Sequence, residues 1–162
     1  MSARADLDGA LDVLLRFGAL MLKSGDTAFR VRDALRRLAD DLAIARLDVQ
    51  LWTGGLTVTA RRDAEIVTLA REIGPPGVDA SRIAALEALS RQGRPGLVPA
   101  TLAAEIDAIE KAAPLHGIVP VALSMAVASF AFSYLNGGDW LATGAAAASG
   151  GIGQAARTLL SR

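Results

Sequence analysis

LHGIVPVALSMAVASFAFSYL, residues Leu115–Leu135, carries no Asp, Glu, Lys or Arg. A hydrocarbon core roughly 30 Å thick is crossed by about 20 mainly apolar residues in a helix. This stretch meets that length, and beyond the single Asp139 the chain runs uncharged again to Arg157. The two runs predict spans at about 116–135 and 140–156, joined by Asn136–Asp139. The second run is mostly Ala and Gly, weakly lipid-loving but suited to close helix–helix contact. Gly144 with Ala148, and Ser129 with Ser133, form small-xxx-small pairs. Tyr134 falls near the end of the first span, where an interfacial ring belongs. The competing reading is a buried helical hairpin in a soluble core. Against it, a chain of 162 residues buries only about two-thirds of its surface. Residues 1–113 would have to cover two helices apolar on all faces while filling their own core.

Upstream the patterning is that of a soluble domain. Leu7, Leu11, Leu14, Leu15, Gly18 and Leu22 recur at helical spacing, and Ser24-Gly25-Asp26 interrupts them. Gly25 suits a left-handed C-terminal cap, and Asp26 can accept from the next helix's amides. A second helix to about Ala43 has Val31, Leu35, Leu38 and Leu42 on one face and a row of arginines on the other. The period then changes to alternation: Leu47, Val49 and Leu51, then Leu56, Val58 and Ala60, with Gly54-Gly55 as a hairpin signal. A third extended run, Glu65 to Ile73, ends at the breaker Gly74-Pro75-Pro76-Gly77. Two more helices follow, one capped by Asp79 with Ile83, Leu86 and Leu89 on a stripe. The other opens at Pro99 and carries Leu102, Ile106 and Ile109. The expected fold is α+β: a cytosolic domain over residues 1–113, made of a helix hairpin, a small antiparallel sheet and two further helices. A membrane helical hairpin over residues 114–162 follows it.

Composition narrows the function. Lys plus Arg equals Asp plus Glu at 17 each, and aromatics total 4%, so no basic field with interleaved rings points to nucleic acid. The absence of cysteine removes disulfides, thiolate metal sites and a cysteine nucleophile together. The single histidine, His116, lies at the predicted membrane interface. No metal-ligand spacing or phosphate-binding glycine loop occurs, so no enzyme, cofactor or metal is expected. The N-terminus has no secretory leader pattern. Arg and Lys precede the first span and Arg157 and Arg162 follow the second, whereas the 136–139 loop has none. The positive-inside rule then places both ends in the cytoplasm.

Five pieces in order, GALMLKSGDTAFRV, WTGGLTVTAR, GPPGVDASRIAALEALSR, GLVPATLAAEIDAIE and FAFSYLNGGDW, resemble the N-terminal half of the threonine/serine exporter family. The likeness covers about Gly18 to Arg157. It implies a multi-pass bacterial inner-membrane protein with a cytoplasmic N-terminal domain. It also implies export of small amino acids or related organic acids by alternating access. The family's first motif usually reads Ser-Gly-Ala-x-Thr-x-Arg-Val-Glu. Ser24, Gly25, Arg30 and Val31 match, while Asp26, Ala28 and Arg32 replace the small, hydroxyl and acidic residues. The resemblance makes this a truncated or partial form, one that needs copies of itself or a second membrane subunit to supply further spans.

Each candidate residue has a bland alternative. Asp139, with Gly137 and Gly138, is a pore-mouth acid or a solvated turn. His116 is a proton relay or an interfacial polar residue. Arg30 is an anion ligand or a structural partner for an acid, and Ser24 and Thr27 are most simply caps. Two other functional classes stay open: a membrane-anchored regulatory or interaction module, and a soluble helical protein.

Overall fold

The structure, a computed structural model, describes residues 3–62, 65–113 and 117–160. Among them are six helices and one three-stranded sheet. The chain divides into two compact units, Met1–Ala112 and Ala113–Arg162.

In the first unit, helix α1 (Ala3–Lys23) is the centre. Its Leu7, Leu11, Leu14, Phe17 and Met21 are fully buried, because their three- and four-residue spacing keeps them on one stripe. Around α1 pack α2 (Ala28–Asp41), α3 (Ala80–Ser90), α4 (Pro99–Lys111) and the sheet. The sheet is an antiparallel meander, β1 (Arg46–Trp52), β2 (Gly55–Arg62) and β3 (Glu65–Glu72), with β2 central. The register pairs Val49 with Val58, and Val58 with Leu69. Leu56, Val58 and Ala60 of β2 are completely buried, whereas Leu47, Val49 and Leu51 of the edge strand β1 are half-buried. That gradient follows from position, since a central strand is covered on both sides as well as below.

Several local expectations need adjusting. Trp52 pairs with Gly55, so the hairpin loop is Thr53-Gly54 and Gly55 already belongs to β2. The third extended run is a strand as expected, over residues 65–72, and Ile66 lies on its outer face. Helix α2 stops at Asp41, short of Ala43. There Ala43 adopts φ 55°, and the Ile44 amide returns to the Ala39 carbonyl at 2.9 Å. This is the glycine-type helix stop made with alanine.

The second unit is a helical hairpin, α5 (Ile118–Leu135) and α6 (Trp140–Leu160). Helix α6 runs four residues beyond the expected 156. Only α5, among the described residues, is long and apolar enough to cross a membrane; its mean hydropathy is 1.9. The alanine- and glycine-rich α6 falls short of that measure. Asn136-Gly137-Gly138-Asp139 makes the turn. Gly137 has φ 80°, and the Gly138 amide reaches back to the Ser133 carbonyl at 3.0 Å.

Candidate functional site

The motif residues Ser24, Gly25, Arg30 and Val31 gather where α1 meets α2. Gly25 takes φ 92°, and the Gly25 and Asp26 amides bond back to the Leu22 and Met21 carbonyls at 3.0 and 3.1 Å. This double return closes α1 as a Schellman cap. A Cβ on Gly25 would run into the carbonyl oxygen of Gly77, because the Gly74–Gly77 breaker folds over the turn. The Gly77 amide donates to the Lys23 carbonyl at 2.8 Å, and the Asp79 amide to the Ser24 carbonyl at 3.0 Å.

The capping roles are redistributed. Thr27 occupies the N-cap position of α2 but makes no side-chain capping bond. Ser24 is buried at the end of α1, with its hydroxyl donating to the Leu20 carbonyl at 2.8 Å. Asp26, which departs from the family motif, does the polar work. Its Oδ1 accepts from the Thr27 amide at 2.8 Å and lies 3.3 Å from Arg30. Its Oδ2 is buried with no hydrogen-bond partner among the described residues. Val31 is fully buried in the core.

Arg30 also reaches Glu87 on α3, at 3.4 Å. Glu87 is the hub of a cluster: Arg37 approaches at 3.2 Å and Arg91 at 2.6 Å, while Arg37 also donates to the Ser90 hydroxyl at 2.9 Å. Burial pushes the Glu87 carboxyl upward, but the Arg91 hydrogen bond and the charges of Arg37, Arg91 and Arg30 outweigh it and hold it below the usual glutamate range. In the sequence, the arginine surplus on α2 was the one signal that an acid from elsewhere must face it. Its identity lay fifty or more positions away, beyond the reach of any local spacing.

In the second unit, Asp139 is an N-cap. Its Oδ1 accepts from the Ala142 amide at 2.7 Å, where the helix's positive end favours a carboxylate. Gly138 packs against Ser133 and Thr143; a Cβ there would come within 2.6 Å of the Ser133 hydroxyl. His116 lies outside the described residues.

The seam between α5 and α6 is made of small residues. Gly150 faces Ser129, and Gly151 faces Ala126 and the Ala122 carbonyl. Gly144 is not part of this seam: nothing lies within 4 Å of a Cβ placed there, so Gly144 points away from α5. Large side chains do the opposite of core residues. Val119, Leu123, Val127, Phe132, Leu141 and Ile152 all project outward, each more than 60% exposed. Of the whole hairpin's described residues only Thr143 is buried. Water-soluble pairs bury large apolar groups and expose small ones. This pair inverts the rule, as helices in lipid do when packing and not hydrophobicity joins them.

The hairpin thus presents an apolar exterior over a small-residue seam. The profile of the ThrE family, described as “Putative threonine/serine exporter”, matches residues 12–162. The chain belongs to the threonine/serine exporter family. No curated protein and no solved structure gives a significant match to it.

Proposed function

We propose that α5 and α6 cross the bacterial inner membrane as a hairpin and contribute to efflux of small amino acids or related organic acids by alternating access. The inverted hairpin carries the reading, with large apolar side chains outside and glycine, alanine and serine inside. The family supports the class. Helix α6, too weakly apolar to face lipid on all sides, is an interior helix of a larger bundle. Two helices enclose no path shielded from lipid. The path therefore requires further helices, from copies of this chain, from a second membrane subunit or from more of the same polypeptide. Ser129 and Ser133, at the α5–α6 seam, are the polar groups nearest such a path. Asp139 holds the external turn in shape through its cap and is the one acid at that mouth. Arg30, with Asp26 and Glu87, fixes the cytoplasmic unit and does not meet substrate.

The positive-inside rule puts the 136–139 turn outside and both ends in the cytoplasm. The native chain has no cysteine, so single-cysteine labelling is unambiguous. Asn136→Cys should react with a membrane-impermeant maleimide in intact cells, and Gln92→Cys only after lysis. The chain should resist an alkaline carbonate wash, and its deletion should raise intracellular threonine or serine. Release by carbonate would refute the membrane reading. Retention without any change in efflux would leave a membrane-anchored interaction module instead.

A further inference from the structure

Segments far apart in the chain come together at one end of the first unit. The α1–α2 turn is there, and the Gly74–Gly77 breaker is bonded over it through the carbonyls of Lys23 and Ser24. The β1–β2 hairpin joins them, since the Ile73 amide donates to the Gly54 carbonyl at 2.9 Å. Helix α4 leaves from the same end. Its start is pinned at the far end of α2, where the Gly96 and Leu97 amides meet the Asp41 carbonyl at 2.8 and 2.9 Å. Glu110, in its last turn, lines one cleft with Lys23 and Gly74.

That end also gathers most of the unit's outward apolar groups. Among the described residues of the first unit, the large apolar side chains that stay exposed are Phe29, Trp52, Ile66, Val78 and Val98. Phe29 in the first turn of α2, Trp52 at the β1–β2 hairpin and Val78 just after the breaker share this end, at 69%, 46% and 93% exposure. Ile66 at the start of β3 and Val98 at the start of α4 lie toward the other end, and single exposed apolar residues are ordinary. Lys23 and Lys111, exposed at the ends of α1 and α4, set cations beside the three. Aromatic rings with flanking lysines are the groups that settle in the headgroup layer of a bilayer. Covalent reach points the same way. Residues 112–117 join Lys111 to Ile118, a span of at most about 25 Å when fully extended. If α5 crosses the membrane, a lipid surface lies within that reach of the α4 exit. We propose that this end of the first unit rests on the cytoplasmic headgroup layer, with Phe29, Trp52 and Val78 inserted as apolar pegs. The proposal depends on the membrane reading and adds to it a second, peripheral lipid contact.

The test uses tryptophan emission from the full chain in phosphatidylethanolamine/phosphatidylglycerol vesicles that contain a lipid with a nitroxide on its headgroup. The chain has two tryptophans, Trp52 and Trp140, so Trp140→Phe leaves Trp52 as the sole emitter. With Trp52→Phe added, Val78→Trp reports the same end of the unit and Val98→Trp the opposite end. Trp52 and the emitter at position 78 should each lose about twice the fraction of emission lost at position 98. Phe29→Asp with Val78→Asp should bring Trp52 quenching down to the level at position 98. Both side chains are exposed, so the denaturant midpoint of the first unit should match the parent. Equal quenching at positions 52, 78 and 98 would overturn the proposal. So would unchanged Trp52 quenching in the double aspartate variant, which would leave the short connection alone as the cause of nearness. Trp52 shielded from aqueous iodide yet unquenched by the labelled lipid would mean a protein surface covers this end, and would overturn it too. A chain that fails to float with the vesicles would sink the membrane reading and this contact with it. A chain that floats without the difference between the two ends would sink the contact alone.

Discussion

The two helical hairpins, α1/α2 and α5/α6, are closed by the same turn chemistry and distribute their side chains in opposite ways. In each, a glycine in the left-handed region ends the first helix, Gly25 at φ 92° and Gly137 at φ 80°. In each, the next amide returns to a carbonyl of the last turn, and an aspartate binds an amide at the following helix start. The side chains then diverge. Around α1 and α2, leucine, Phe17 and Met21 point inward and most of the charged residues point out. Between α5 and α6, glycine, alanine and serine point inward and valine, leucine and phenylalanine point out. Turn chemistry is set by backbone sterics and is indifferent to solvent. The distribution of side-chain size and charge carries the solvent information.

The largest effects should separate the two hairpins most cleanly. Phe17→Ala empties a fully buried site and should cost the first unit about 3–5 kcal/mol, read by chemical denaturation. The carbonate-resistant fraction should stay unchanged. Val127→Arg should do the reverse. It places a charge on the exposed face of α5 near its middle, at about 2.5–3.5 kcal/mol of insertion free energy. The carbonate-resistant fraction should drop while the first unit's unfolding is unmoved. If Val127→Arg leaves membrane retention intact, the contrast drawn between the hairpins fails.

Smaller effects sharpen the same contrast. The acid stability of the first unit rests on carboxyls held below their usual range. Glu87 is held there by Arg91, Arg37 and Arg30 against the opposing effect of burial. Glu105 is held by the Arg94 hydrogen bond and charge, again against burial. A group with a depressed folded-state pKa contributes stability above its unfolded pKa and loses it as pH falls through the folded value. Stability should therefore be level near neutrality and fall below about pH 4, the ordinary carboxylate range. Glu87→Gln should lower stability at pH 7 and flatten that fall, measured by denaturant midpoints between neutral and acid. Smallest of all, Ala43→Gly relieves a left-handed alanine and should stabilise the first unit by about 1 kcal/mol. A lower melting temperature for that variant would contradict the geometry at Ala43.

Much of this was legible in the order of residues because it depends on neighbours along the chain. The Ser24-Gly25-Asp26 break, the alternating strands around Gly54, Pro99 at the start of α4 and the uncharged run before Leu135 are all local signals. The pieces that escaped were those with distant partners. Glu87 meets Arg30 and Arg37 across fifty or more positions. Likewise, the rotation of α6 turns Thr143, Gly150 and Gly151 toward α5 and leaves Gly144 on another face. Spacing gives a helix its stripes without saying which stripe meets a partner.

Composition and period alone therefore settled that the chain would make a charged α+β unit and a nearly uncharged helical pair, and motif order pointed to the exporter family. Helices and turns are short-range events governed by φ, ψ and burial of adjacent residues. Three-dimensional packing settled the rest. It folded Gly77 onto Gly25 and set Glu87 among Arg30, Arg37 and Arg91. Those contacts join residues far apart in the chain, and their energies exist only once the intervening segments have been brought together.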